Sequence, residues 1–158
     1  MKPRVVFDCM VFLQAAARTT GPAAACWQLA KAGGVELCVS AVSNAEVKDV
    51  LTRTRTQRKF PTLTPSTVEA FVSEVSSHAT QITEVPGDFS LPRDPKDAPY
   101  VNLAIAANAP YLVSRDKDLL DLMQDETFRG QFPNLIILDP VSFLRAMARL
   151  ASEEPQVE

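Results

Sequence analysis

Three short runs, Arg4-Val-Val-Phe7, Tyr111-Leu-Val113 and Leu135-Ile-Ile-Leu138, constrain this chain most. Each is too short for a helix and lacks the polar alternation of a strand with one wet face, so each reads as a strand. The first and last carry the pattern of strands buried on both faces. Val35 to Val39 alternates well enough to add another, and Ile82 and Val85 suggest a further short one.

Helical stretches fill the gaps. Met10 to Ala17 is largely apolar and is broken by Thr19-Thr-Gly-Pro22; Ala23 to Ala32 follows and ends at Gly33-Gly34. Ser40 to Asn44 supplies capping side chains for a helix to about Thr54, with Glu46 in its first turn. Thr64-Pro65 opens another helix to about Ser77. The small residues from Val101 to Ala107 form a buried helix that Asn108-Ala-Pro110 stops. Leu119 to Met123 fits a short helix, and Val141, Leu144, Met147 and Leu150 mark the stripe of a final one. Strands alternating with helices predict a three-layer α/β/α sandwich with a mostly parallel sheet and right-handed crossovers.

At 158 residues and 46% apolar content, the chain is expected to form one domain over residues 1–151, with a polar tail at 152–158. A net charge of −3 excludes a global positive field, so any nucleic acid must meet a local patch. The one basic candidate is Arg53, Arg55, Arg58 and Lys59, which reads equally well as a solvated helix end. Cys9, Cys26 and Cys38 are odd in number and form no CxxC pair, which suits a reducing compartment. Asp8 interrupts the first apolar run, and nothing approaches the roughly 18 apolar residues of a membrane span, so a soluble, cytoplasmic protein with no membrane partner is expected.

Asp8, Glu46, Asp97 and Asp116 each stand at a predicted strand end or helix start. In a parallel sheet all four can converge where such sheets bind ligands. Clustered carboxylates repel one another; hard oxygen ligands without a His or Cys cluster favour Mg²⁺ or Mn²⁺ as the ion that relieves this. Taken singly, each acid also fits a plain role: Ser43 and Glu46 as a capping box, Asp97 as a charge complementing a helix dipole. The cluster suits attack of water on a phosphodiester. The lone His78, in a polar segment, argues against a histidine-pair ribonuclease mechanism.

Val5-Val-Phe-Asp8, the segment around Glu46, Asp94-Pro-Lys-Asp97 and Tyr111-Leu-Val-Ser-Arg-Asp-Lys-Asp-Leu119 together resemble the PIN-domain family, and most of all its bacterial branch of toxin components of toxin-antitoxin systems. The resemblance spans residues 4 to 145 and implies a metal-dependent ribonuclease, with Asp8, Glu46, Asp97 and Asp116 as its acidic site. Asp94 and Asp118 are additional candidates for the same cleft, and Ser114 resembles the hydroxyl that orients Asp116 or a water. RNA as substrate and a cognate antitoxin as partner follow from the same resemblance; self-association is left open. One position departs: Met10 stands where the family usually has Asn, replacing an amide by a weakly accepting thioether. A weakened, non-cleaving module that binds RNA or a partner is therefore the alternative. Aspartyl-phosphate chemistry at Asp8 is disfavoured, since Met10 also occupies the position where a haloacid-dehalogenase pattern wants a second Asp.

Overall fold

The computed structural model describes residues 2–87, 89–90 and 97–153. Five strands form one sheet: β1 (Arg4–Phe7), β2 (Glu36–Val39), β3 (Thr80–Gln81), β4 (Tyr111–Val113) and β5 (Ile136–Leu138). Their order is β3-β2-β1-β4-β5, and every neighbouring pair is parallel. The chain therefore moves outward from β1 in one direction, then returns to β1's other side with β4. Such a reversal leaves a crevice at the carboxyl ends of β1 and β4.

The alternation of side chains along β1 builds the two cores. Val5 and Phe7 face one layer with α1 (Cys9–Ala17), α2 (Pro22–Lys31), α3 (Ala41–Thr52), α5 (Pro65–His78) and α9 (Pro140–Glu153), while Val6 faces the other. That second layer holds α6 (Ala98–Ala106), α7 (Lys117–Leu120) and α8 (Glu126–Gln131). The remaining helix, α4 (Thr54–Lys59), buries no residue and follows α3 after a break at Arg53. The three-layer architecture is thus the expected one.

Local chemistry sets the helix ends. Asn108 takes a positive φ of 51° just past α6 and turns the chain toward β4, as an Asn at that position readily does. From within α6, the buried Asn102 side chain both accepts from the Phe89 amide and donates to the Phe89 carbonyl. The Phe89 ring packs edge-on to Phe128 and Phe132. This pins the entry to α6 against α8.

Several expectations shift. The third strand lies at Thr80–Gln81 and not at Ile82 and Val85, although the Ile82 amide still bonds to the Val39 carbonyl. The last strand is an edge strand, so Ile136 is 46% exposed and only Ile137 is fully enclosed. In α9 the buried stripe runs through Phe143 and Met147; Val141 and Leu150 face outward, one step off the expected phase. The helix also continues through Glu153, two residues into the polar tail, and residues 154–158 lie outside the described ones. No described helix is long and apolar enough to cross a membrane.

Candidate acidic site

Continuing the strand register one residue past the strand ends sets Ile82, Ser40, Asp8, Ser114 and Asp139 in a row across the carboxyl edge of the sheet. Hydrogen bonds agree with that row: the Asp8 amide bonds to the Val113 carbonyl at 3.1 Å, and the Ser114 amide to the Leu138 carbonyl at 3.0 Å. Asp8 is the central member and is 2% exposed.

The Asp8 side chain has two fixed partners. Its Oδ1 accepts from the Val11 amide at 3.0 Å and thereby caps α1. Its Oδ2 accepts from the Ser114 hydroxyl, which is fully buried. That same Oγ accepts from the Asp116 amide at 2.9 Å, and Asp116 Oδ1 accepts from the Asp118 amide at 2.8 Å, capping α7. Asp8, Ser114 and Asp116 are therefore one hydrogen-bonded unit bridging the ends of β1 and β4.

Burial pushes the Asp8 carboxyl from 3.8 up to about 6. The Ser114 hydroxyl and the Val11 amide oppose that rise, and the charge of Asp116 adds to it. Beside it, burial pushes the Cys9 thiol up to about 12, helped by the charges of Glu46 and Asp8. Cys9 is thus a neutral filler between two acids and not a thiolate. Cys26 and Cys38 are likewise free and buried, with their thiols raised to about 12 and about 11 by burial.

Glu46 is half-buried and sits in the second turn of α3, one turn later than expected. The capping box of that helix is made by Ser40 and Ser43, because Ser43 stands three residues after the cap whereas Glu46 stands six after it. Relieved of that structural duty, Glu46 lies within electrostatic reach of Cys9 and Tyr100. Asp97 occupies the capping position of α6 but makes no side-chain capping bond, so its carboxylate is not serving the helix in that way. Asp118 is in the first turn of α7, and Asp94 lies outside the described residues.

Among the described residues, no three His, Cys, Asp or Glu side chains are arranged to hold a metal ion together. The assembled donors are Asp8 and Asp116, joined through a hydroxyl, all hard oxygens. That set fits Mg²⁺, which is commonly held by one or two carboxylates with waters and substrate phosphates completing its shell.

The remaining candidates fall elsewhere. Arg53, Arg55, Arg58 and Lys59 are exposed, but Arg53 is tied to Asp49 through two hydrogen bonds of 2.6 and 3.1 Å. Arg53 closes α3, about 10 Å of helix rise beyond Glu46, and Arg55, Arg58 and Lys59 lie on α4 past that end. His78 is exposed at the end of α5, as expected, with its ring edge-on to Trp27. Met10 is 45% exposed on the outer face of α1, next to the site and not in the core. Tyr100 carried no signal in the sequence beyond its spacing of three residues from Asp97, yet its hydroxyl lies beside Glu46.

A comparison with curated protein sequences finds no match. Among solved structures, the chain is similar to VapBC2 from Rickettsia felis bound to a DNA fragment from their promoter, with 13% identity and a TM-score of 0.50 over 86% of this chain and 98% of that one. At that identity the likeness concerns the fold. A family model described as the PIN domain matches residues 4–118. That match takes in the strand carrying Asp8, the helix carrying Glu46 and the strand ending in the Ser114 to Asp116 turn, and the chain belongs to the PIN-domain family of nucleases.

Proposed function

We propose that this protein is a metal-dependent endoribonuclease and the toxin component of a toxin-antitoxin pair. The observation that carries the reading is the Asp8–Ser114–Asp116 unit at the switch point of the sheet. A buried carboxylate with a raised proton affinity, next to a second acid, is costly for the fold alone and is useful to a cation. Asp8 and Asp116 would hold Mg²⁺ or Mn²⁺, with Glu46 and Asp97 as further ligands and Asp94 and Asp118 flanking them. Bound there, such an ion would supply charge neutralisation and an activated water for in-line attack on a phosphodiester.

The chain's own residues prepare that site. Val11 and Ser114 each donate to one oxygen of Asp8 and fix its orientation, and a cation would take up the acceptor capacity that remains. Asp118 does the same for Asp116 through its amide. The residues thus hold fixed dipoles where charge must be bound, so little reorganisation is needed on loading. The toxin role rests on the sequence resemblance and on the fold likeness to VapBC2; a cognate antitoxin would cover the site of this chain.

Cleavage of a mixed RNA pool with Mg²⁺, with Mn²⁺ and with EDTA tests the proposal, beside Asp97→Asn. That variant removes one negative charge from the clustered acids, so it should be at least as stable as the wild type in EDTA while losing turnover. RNA binding with no metal-dependent cleavage by the wild type would leave the non-cleaving module in its place.

A further inference from the structure

The Tyr100 hydroxyl is buried with no hydrogen-bond partner among the described residues, on a side chain that is 1% exposed. An orphaned buried hydroxyl is destabilising, and a phenylalanine would fill the same space in the cluster with Val6, Val101 and Leu103 without that cost. The hydroxyl lies beside two groups, the Cys9 thiol and the Glu46 carboxylate. The thiol stays neutral and accepts weakly; the carboxylate is the strong acceptor within reach. Tyr100 and Asp97 also share the first turn of α6, the Tyr100 amide bonding to the Asp97 carbonyl at 3.1 Å. The hydroxyl therefore faces Glu46 from the helix that Asp97 begins.

We infer that Tyr100 is a positioning residue: when the acidic site is loaded with a divalent cation, its hydroxyl donates to Glu46 and fixes that carboxylate's orientation toward Asp8. This rests on the nuclease reading above. Partners that orient a ligating carboxylate typically contribute 10–100-fold in metal affinity or activity.

The experiment compares the wild type with Tyr100→Phe, Glu46→Gln and the double variant. Unfolding is followed in EDTA, Mn²⁺ binding by calorimetry, and RNA cleavage as separate kcat and KM. Tyr100→Phe should be at least as stable as the wild type in EDTA, bind Mn²⁺ roughly tenfold more weakly and lose kcat by a similar factor with KM unchanged. Adding Tyr100→Phe to Glu46→Gln should cost nothing further. Wild-type Mn²⁺ affinity in Tyr100→Phe, additive losses in the double variant, or a Tyr100→Phe protein that fails to fold would each overturn this inference alone. A wild type that neither binds Mn²⁺ nor cleaves RNA would overturn the nuclease reading, and this inference with it.

Discussion

The Ser114 hydroxyl donates to the Asp8 carboxylate across a separation of 106 residues and accepts from the Asp116 amide at 2.9 Å. One atom thus couples the end of the first strand to the end of the fourth. Replacing it by Ser114→Ala leaves a buried carboxylate short of a donor and a backbone amide short of an acceptor. The expected loss is about 1–3 kcal/mol in urea unfolding at pH 7. A change within about 0.5 kcal/mol, the usual range for an uninvolved surface position, would show that the bridge is not structural.

Asp8 predicts a pH dependence in the metal-free protein. Its carboxyl titrates at about 6 when folded and at 3.8 in the reference state, so between those values the folded chain holds a proton that the unfolded chain has released. Stability from this group is fully present below about pH 4 and is lost as pH rises through about 6. The upper bound is roughly 3 kcal/mol for a shift of about two units. Asp8→Asn has no such titration. In EDTA, the stability of Asp8→Asn relative to wild type should therefore rise by up to that amount from pH 4 to pH 7; a difference that does not vary with pH would refute the buried, raised carboxyl.

Much of this arrangement was legible because strand ends are marked by chemistry as well as by pattern. Asp8 directly follows one short apolar run and Asp116 stands three residues past another, and both runs are too short for helices and read as strands. Ser114 was legible as a hydroxyl near Asp116, but its bond to Asp8 was not, because that contact depends on the register of β1 against β4. Glu46 was placed a turn too early since Ser40 and Ser43 offered rival caps and only the backbone geometry at Ser40 decides between them. The helix α8 escaped notice because its apolar content is Phe128, whose partners Phe89 and Phe132 lie in segments with no periodicity of their own. Tyr100 escaped for a related reason: a tyrosine in an apolar helix reads as core until its hydroxyl is placed.

Met10 should tolerate Asn. The side chain is 45% exposed, so its replacement neither opens a cavity nor buries an amide, and stability should change by no more than about 0.5 kcal/mol. If the departure from the family pattern weakens the site, Met10→Asn will bind Mn²⁺ more tightly in calorimetry at an unchanged melting temperature. A marked drop in melting temperature would mean that the methionine packs against something the isolated chain leaves open.

The basic stretch gives the last prediction. In an acidic protein, phosphate contacts must come from a local group of cations, and each neutralised phosphate releases counterions that set the salt dependence of binding. Arg55, Arg58 and Lys59 present exposed charges on α4, whereas Arg53 is already paired with Asp49. Arg55→Ala with Arg58→Ala should lower the slope of log affinity against log salt by up to about two, and Arg53→Ala by less than about one. Fluorescence anisotropy with a single-stranded RNA over a salt series, in EDTA so that the strand stays intact, reads both slopes. Since these residues stand on α4, past the end of α3 that lies away from Glu46, the double variant should weaken binding to long strands more than to short ones, which cannot span from α4 to the sheet edge. An unchanged slope for long RNA would leave α4 as a solvated helix with no part in binding.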